Sequence, residues 1–300
     1  MSTAAASRGR IVVGLDGSAP SDAALAWAVA EAAVRGTEVV AVHALAVRPV
    51  VAPLPSDGEA GPGRLEAAGR RLLQESLART PGHERVPVRA RVVDGPPVAA
   101  LAAESAAADL LVLGTRGHGG LPGLLLGSTG YGCLHVCRCP VVLVHGPDTA
   151  GTPGGPIVVG VDGSPGSVDA LTWALAEAAR REAKVHAVLA WQDPYTVVGP
   201  PPPTWVAGES LHQLGKVLDA SVEHAVVAVG PDVAVAREVR SGNPVDVLTE
   251  AARGAALLVV GSRGRSPVRA AFLGSVSQRC VQSASVPVVV VRRTDPAEAA

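Results

Sequence analysis

The stretch IVVGLDGS, at residues 11–18, occurs a second time as IVVGVDGS at residues 157–164. Three further segments repeat in the same order: DGPPVAAL (94–101) as SGNPVDVL (241–248), LGTRG (113–117) as VGSRG (260–264), and CPVVLV (139–144) as VPVVVV (286–291). The first pair is offset by 146 residues and the other three pairs by 147 residues. Because this offset is as long as a small domain, the chain is interpreted as a duplicated domain of about 145 residues rather than a short-period solenoid.

The length of the chain agrees with a duplication, since 300 residues suit two domains that each bury a core. The repeats predict a first domain at 1–147, a linker at 148–155 and a second domain at 156–300. The segment around this linker, HGPDTAGTPGG at 145–155, is rich in glycine and proline, which is typical of a connection between domains.

The composition indicates a globular chain, because 48% of the residues are apolar and 18% are charged. The formal net charge of −1 favours neither nucleic acid nor an anionic membrane as a partner. The segment MSTAAASRGR lacks the apolar region of a secretory signal, and no long apolar run free of breakers follows. The four cysteines do not form a paired framework. We therefore expect a cytoplasmic protein with reduced thiols.

Short runs of valine, isoleucine and leucine alternate with alanine-rich stretches of helical length in each copy. In the first copy we predict strands at RIVVGL (10–15), TEVVAVHAL (37–45), VPVRARVV (86–93), DLLVLG (109–114) and VVLV (141–144). The first helix is predicted to open at Ser21 or Asp22 and to close at Gly36. Near-continuously apolar strands separated by helices predict a parallel sheet covered on both faces, so each copy is expected to be a five-stranded Rossmann-like α/β domain.

Glycines follow the fourth predicted strand of each copy in a fixed pattern. The pattern G-x2-G-x9-G-[ST] is matched by Gly114, Gly117, Gly127 and Ser128 in the first copy, and by Gly261, Gly264, Gly274 and Ser275 in the second. The lysine of a Walker A motif is missing, and the first strands lack the G-x-G-x-x-G of a dinucleotide fingerprint. Glycines expose backbone N–H groups and a helix N-terminus favours an anion, so the pattern predicts a phosphate-binding loop.

Together with V-G-x-D-G-S on each first strand, this duplicated motif resembles the universal stress protein family, in its tandem form and its ATP-binding branch. The resemblance covers nearly the whole chain. It implies adenine nucleotide alpha hydrolase-like domains with strand order 3-2-1-4-5, which would bring Asp16 and Gly114 into one crevice at the topological switch point. It also implies that each half binds ATP, with Mg²⁺ held through the phosphates, and that the protein is a nucleotide-dependent regulatory module in the stress response.

The resemblance assigns the ligand contacts residue by residue. Asp16 and Asp162 would contact the nucleoside, since a carboxylate accepts hydrogen bonds from a ribose hydroxyl or an adenine amino group. Capping of a turn or helix is the alternative role for both. The expected binding residues are Gly14, Asp16, Ala44, Leu113, Gly114, Gly117, Gly127, Ser128 and Thr129 in the first copy, and Gly160, Asp162, Ala190, Val260, Gly261, Gly264, Gly274, Ser275 and Val276 in the second. The small or apolar members would equally suit an ordinary core.

The second loop carries more positive charge than the first. It contains Arg263, Arg265 and Arg269, whereas the first loop contains Arg116 and His118. Cations near a phosphate favour binding, so we predict tighter and more salt-sensitive nucleotide binding in the second copy. The alternative is that these arginines are solvated loop charges.

No catalytic residue is assigned from the sequence. Ser18 and Ser164 do not lie in G-x-S-x-G, and no base can be assigned from spacing. His43 and His186 lie on the second strands, where packing or hydrogen bonding is expected rather than catalysis. The enzyme alternative is therefore limited to slow ATP hydrolysis or autophosphorylation, and a third alternative is a protein-interaction scaffold with a vestigial motif.

Three other features carry expectations. Cys133, His135, Cys137 and Cys139 resemble a zinc motif, but a helix places 133 and 137 on one face and 135 on the other, so buried or redox-sensitive thiols are expected. The inserts at 48–63 and 192–208 follow the second strands and are interpreted as lids or as variable surface loops. The halves are expected to pack as a pseudo-dimer, with the edge strands VVLV and VVVV as the candidate contact, and a homodimer is a candidate assembly.

Overall fold

The computed structural model describes residues 9–46, 62–117, 126–146, 151–192, 204–230, 232–264 and 273–293, with the backbone alone at 62 and 204–210. The chain divides into two compact units, Met1–Pro147 and Asp148–Ala300. The described part of the predicted linker lies with the second unit, since the Thr152 N–H donates to the Ala255 carbonyl at 2.9 Å.

The first unit alternates strands and helices along the chain. Its elements are β1 (Arg10–Gly14), α1 (Ala19–Arg35), β2 (Glu38–Leu45), α2 (Pro62–Arg79), β3 (Val88–Asp94), α3 (Pro97–Ser105), β4 (Leu110–Gly114), α4 (Ser128–Val136) and β5 (Val141–Val144). The strands are parallel in the order β3-β2-β1-β4-β5. This order confirms the 3-2-1-4-5 sheet that the family resemblance implies.

The second unit repeats this arrangement. Its elements are β6 (Ile157–Gly160), α5 (Pro165–Arg181), β7 (Val185–Trp191), α6 (Thr204–Val229), β8 (Val235–Ser241), α7 (Pro244–Ala251), β9 (Leu257–Gly261), α8 (Ser275–Ser283) and β10 (Val288–Val291). The parallel order is β8-β7-β6-β9-β10.

The central strands form the core because they are apolar on both sides. The side chains of Ile11, Val12 and Val13 on β1 are completely buried, and so are those of Leu110 and Leu111 on β4. Helices lie on both faces of each sheet, as expected for near-continuous apolar strands. Since β1 pairs with β2 on one side and β4 on the other, the connections leave in opposite directions and a crevice opens at the carboxyl ends of β1 and β4.

The first helix begins earlier than the sequence predicted. Ser18, rather than Ser21 or Asp22, is the N-cap of α1, and its Oγ accepts a hydrogen bond from the Ser21 N–H at 3.3 Å. A proline in the first turn is compatible with a helix start, so Pro20 lies inside the helix. The predicted end of the helix is confirmed, because Gly36 is the C-cap with a φ of 63°.

The candidate lids lie mostly outside the described residues, at 47–61 and 193–203. The remainder of each insert begins a helix, α2 at Pro62 and α6 at Thr204. Among the helices that the structure describes, none is both long and apolar enough to span a bilayer.

Candidate functional site

The chain turns sharply after β1, and an aspartate organises the turn. Asp16 Oδ1 accepts hydrogen bonds from the Ser18 N–H at 3.0 Å and from Ser18 Oγ at 2.6 Å. Gly17 between them has a φ of 83°, a conformation that glycine adopts without steric cost. The turn-capping role that the sequence left open for Asp16 is therefore present. The other carboxylate oxygen, Oδ2, extends toward the loop that follows β4.

The two loops meet at Gly117. A Cβ atom placed on Gly117 would lie 2.1 Å from Asp16 Oδ2. Because no side chain fits in this space, a glycine is required at position 117 for the Asp16 carboxylate to lie against its backbone. The structure thus brings together two residues of the motif that are about 100 positions apart in the sequence.

Two more glycines allow close packing at the carboxyl ends of the strands. A Cβ on Gly114 would lie 2.7 Å from the backbone carbonyl carbon of Pro20, so the first turn of α1 packs directly on the end of β4. A Cβ on Gly14 would lie 2.7 Å from the Leu113 side chain. Because these glycines have no side chains, Pro20 and Leu113 can pack closely against the strand ends that form the crevice.

Gly127 differs from the other motif glycines because the space beside it is open. A Cβ on Gly127 would have its nearest neighbour at 3.6 Å, the Thr115 carbonyl oxygen. Gly127 is the N-cap of α4 and has no side chain to cap the helix. The first N–H groups of a helix have no partner within it, and the helix dipole is positive at this end. The start of α4, with Ser128 and Thr129, is therefore suited to hold an anion.

These elements enclose a cavity of about 310 Å³. All of the residues predicted for the first copy line it: Gly14, Asp16, Ala44, Leu113, Gly114, Gly117, Gly127, Ser128 and Thr129. Its lining includes apolar residues, among them Ala44 and Leu113, and the residues that begin α4. A cavity of this size, mostly apolar with a few convergent polar groups, is typical of a small-molecule site.

Sequence reasoning missed the other residues that line the cavity, which are Leu15, Ser21, Val42, His43, Pro97, Leu101, Arg116 and Gly130. Pro97 and Leu101 come from α3, which precedes β4 and lies outside the glycine motif. A signal for them was present, because DGPPVAAL recurs as SGNPVDVL at the start of the corresponding helix α7.

The second unit repeats the close contacts of the first. A Cβ on Gly264 would lie 2.6 Å from Asp162 Oδ2, and a Cβ on Gly261 would lie 2.7 Å from the Gly166 carbonyl oxygen. Asp162 Oδ1 accepts from the Ser164 N–H at 2.9 Å. Gly274 is the N-cap of α8, again without a side-chain cap. The same backbone arrangement is thus present in both units.

The remaining predicted residues of the second unit occupy matching positions. Gly160 ends β6, and a Cβ there would lie 2.9 Å from Leu248, the counterpart of Leu101. Val260 is buried on β9, and Ala190 lies near the end of β7. Ser275 and Val276 begin α8.

The family assignment follows from this duplicated arrangement and from comparison with known proteins. The sequence model of the universal stress protein family matches residues 7–145 and 155–292. The chain belongs to the universal stress protein family. It is of the tandem type, with two universal stress protein domains in one chain.

Known universal stress proteins are similar to this one along its length. One from Mycolicibacterium smegmatis is 36% identical over 293 residues, covering 94% of this chain and 96% of that protein. The crystal structure of a universal stress protein from Archaeoglobus fulgidus covers 95% of this chain and 97% of its own, at 20% identity with a TM-score of 0.68, and shows the same fold. A solved universal stress protein in complex with cAMP is 28% identical, covers 46% of this chain and 95% of its own, and has a TM-score of 0.34.

The histidines on the second strands of this universal stress protein make polar contacts with neighbouring residues. His43 Nδ1 lies 2.8 Å from the Leu15 carbonyl oxygen, and His186 Nε2 lies 2.9 Å from Glu238 Oε2. His43 also lines the cavity, which the sequence did not predict.

The cysteines are buried free thiols in the structure. The pKa of the Cys133 thiol is raised far above its ordinary value, mainly by a hydrogen bond with the Cys137 side chain and to a smaller extent by burial. Burial raises the pKa of Cys139 to about 11 and that of Cys280 to about 12. Within the described ranges, no group of three or more His, Cys, Asp or Glu is placed to hold a metal ion.

Several residues of the glycine-rich loops lie outside the described ranges. They include His118, Gly119, Gly120 and Gly123 in the first loop, and Arg265 and Arg269 in the second. Arg116 lines the cavity, and Arg263 is its counterpart in the repeat.

Proposed function

We propose that this universal stress protein binds ATP at the carboxyl edge of each sheet and acts as a nucleotide-dependent regulatory module in the stress response. The observation that carries the proposal is the N-terminus of α4. It is capped by a bare glycine, opens into the cavity of about 310 Å³ and lies in the same cavity as the Asp16 carboxylate. The same pairing of an uncapped helix with an aspartate-bearing turn in the second unit supports a second site.

The lining of the cavity suits the different parts of a nucleotide. Ala44, Leu101 and Leu113 provide apolar surface for a base. The N–H groups at the start of α4, and the hydroxyls of Ser128 and Thr129, would hold phosphates without a lysine. Asp16 would accept hydrogen bonds from the ribose hydroxyls. Mg²⁺ would be held through the phosphates and would reduce their mutual repulsion.

Gly127→Ala and Gly274→Ala test this function without disturbing the fold. At either position the new Cβ would have no neighbour closer than 3.5 Å, and the backbone φ values of −69° and −59° suit any residue. The methyl group would nevertheless occupy the start of the helix where the phosphates are proposed to bind. We expect isothermal titration calorimetry with Mg·ATP to show two sites in the parent protein, one in each single variant and none in the double variant.

Gly63→Ala in α2 is the matched control, because its Cβ would also meet nothing within 4 Å and its position is not in the cavity. It should bind ATP with the parent affinity. Unchanged ATP binding by the double variant would contradict the proposed site, and an absence of ATP binding by the parent protein would contradict the proposed function. Chromatography of the titrated samples separates binding from hydrolysis, since a slow ATPase would release ADP.

The cytoplasmic location and the homodimer expected from the sequence stay predictions. Cell fractionation and light scattering on the purified chain measure them directly.

A further inference from the structure

The hydroxyl group of Ser18 joins the turn after β1 to the first helix. Its Oγ donates to Asp16 Oδ1 at 2.6 Å and accepts a hydrogen bond from the Ser21 N–H at 3.3 Å. A carboxylate can only accept a hydrogen bond, so the single hydroxyl hydrogen of Ser18 points to Asp16, and a lone pair of the same oxygen caps α1. The residue is only 8% exposed, so little water competes for these contacts.

The bond to Asp16 is the shorter of the two that the Ser18 hydroxyl can donate. The other acceptor within reach, the Arg116 carbonyl oxygen in the loop after β4, lies at 3.4 Å. A distance of 2.6 Å is typical of a charge-assisted bond between a hydroxyl group and a carboxylate, which is about twice as strong as a neutral one. The Ser18 hydroxyl therefore holds the Asp16 side chain rather than the Arg116 backbone.

Two donors on one oxygen atom restrict the orientation of the Asp16 carboxylate. The Ser18 N–H also donates to Asp16 Oδ1, at 3.0 Å. With Oδ1 held by both groups, rotation of the carboxylate is limited and Oδ2 stays on the side of Gly117. The backbone bond alone would leave the side chain more freedom. A side chain that is already oriented loses less conformational entropy when a ligand binds to it.

We infer that Ser18 is a positioning residue of the first site, whose hydroxyl holds the Asp16 carboxylate in the orientation that receives the ribose hydroxyls. The inference rests on the proposed nucleotide function. Among the described residues, those that line the cavity include Asp16 but not Ser18, so Ser18 acts on the ligand through Asp16. Its hydroxyl has two separable roles, because capping of α1 needs an acceptor whereas orientation of Asp16 needs a donor.

Comparison of ATP with its dideoxy analogue tests the inference, because the analogue lacks both ribose hydroxyls. The first site is isolated in the Gly274→Ala background, and both Kd values are measured by calorimetry. We expect ATP to bind about tenfold more tightly than the analogue, as for the loss of a hydrogen bond to a charged group. In Ser18→Gly this ratio should fall by about threefold, since ATP must then order the Asp16 side chain itself.

Two substitutions of Ser18 separate donation from capping. Ser18→Gly removes the hydroxyl, while the backbone conformation, with a φ of −78° and a ψ of 154°, and the N-cap position both suit glycine. Ser18→Asp keeps an oxygen that can cap α1 but has no hydrogen to donate to Asp16, so the ratio should fall in this variant as well. The added charge acts on the same triphosphate in both nucleotides and therefore leaves their ratio unaffected.

A double-mutant cycle shows whether Ser18 acts through Asp16. In an Asp16→Asn background the ratio should already be low, and Ser18→Gly should change it no further. Ser164→Gly is the matched control, because Ser164 is the equivalent N-cap in the second unit, and it should leave both affinities of the first site at their parent values. A merely structural role of Ser18 would weaken both nucleotides equally and leave their ratio unchanged.

The outcomes distinguish this inference from the proposed function. Equal affinities for ATP and the dideoxy analogue in the isolated first site, or a parent ratio in folded Ser18→Gly, would overturn the inference while nucleotide binding stands. Should Ser18→Gly fail to fold, a parent ratio in Ser18→Asp would overturn it instead. If neither nucleotide binds to the parent protein, the proposed function fails together with the inference.

Discussion

At the scale of single residues, Asp16 serves the fold and the site with different oxygen atoms. Oδ1 holds the turn after β1 through Ser18, and Oδ2 lies against the backbone of Gly117. The sequence motif records both residues but not their contact, because the spacing of glycines does not show which atoms approach them. The contact recurs between Asp162 and Gly264, so it is a feature that both copies of the domain share.

Asp16→Asn should weaken nucleotide binding without unfolding the protein. The amide oxygen of asparagine can still accept the hydrogen bond from the Ser18 N–H, so the turn is retained. The substitution removes the charge and one acceptor, and a hydrogen bond to a charged group contributes about 1.5–3 kcal/mol. We expect the Kd for ATP at the first site to rise by at least about tenfold, measured by calorimetry in the Gly274→Ala background.

Asp162→Asn is the control for Asp16→Asn, because it should leave the first site unaffected in the same background. Thermal melts followed by circular dichroism check the fold. A parent-like Kd for Asp16→Asn would contradict contact between the carboxylate and the nucleoside.

At the scale of helices and strands, the two units differ in how their first helices, α1 and α5, are terminated. The C-cap of helix α1 is Gly36, with a φ of 63°, and the C-cap of α5 is Glu182, with a φ of 52°. Both residues are in the left-handed conformation, which is unfavourable for a side chain that has a Cβ. Among the residues that the structure describes, Glu182 is the one non-glycine residue with a positive φ. The second unit therefore carries a backbone strain that the first unit avoids.

Glu182→Gly should increase the free energy of unfolding of the second unit by about 1 kcal/mol, because glycine adopts the left-handed conformation without steric cost. Urea unfolding followed by circular dichroism measures the change. The reciprocal control is Gly36→Ala, whose Cβ would meet nothing within 4 Å, so that its effect reports the backbone alone. It should lower the free energy of unfolding by a similar amount. A destabilised Glu182→Gly would refute this account of the helix end.

The elements were largely predictable because strand and helix patterns are local. Apolar runs located the strands, and the repeats placed the glycine motif after β4. The start of α1 was missed because Pro20 was not recognised as part of the first turn. His43, Pro97 and Leu101 were missed as cavity residues because their positions depend on how β2 and α3 pack around β1. The recurrence of DGPPVAAL as SGNPVDVL marked the start of α3 but did not show where that helix packs.

At the scale of the whole molecule, the duplicated domain keeps its backbone contacts and varies the side chains around them. Thr129 and Gly130 in the first unit correspond to Val276 and Ser277 in the second. The Ser277 hydroxyl donates to the Gly261 carbonyl at 2.6 Å, so it is used within the protein. The first site thus has a threonine hydroxyl where the second has valine. The threonine hydroxyl would favour nucleotide binding at the first site, whereas the arginines of the second loop would favour it at the second. Tighter binding in the second unit stays a prediction.

The buried thiols predict that stability falls in alkaline solution. In the folded protein the pKa values of Cys139 and Cys280 are raised to about 11 and about 12, from an ordinary value of 9.0. Above about pH 9 the unfolded thiols lose protons that the folded thiols retain. The free energy of unfolding should therefore decrease with rising pH between about 9 and 11, by about 1.4 kcal/mol per pH unit for each such thiol.

Urea unfolding at several pH values measures this slope. In Cys280→Ala the free energy of unfolding should fall less steeply with pH than in the parent protein across the same range. Any loss of stability caused by the smaller side chain is independent of pH and does not change this slope. Identical slopes would show that the Cys280 thiol does not contribute to the pH dependence.

The contact between Asp16 and the loop after β4 also has a consequence for biosynthesis. The ribosome makes the aspartate-bearing turn early, but Gly117 and the start of α4 emerge about 100 residues later. Until β4 has paired with β1, a nascent chain lacks the proposed phosphate site. A ligand that needs both segments stabilises only the finished domain and cannot guide its earlier assembly. In each half, nucleotide capture would therefore mark the completion of the domain during translation.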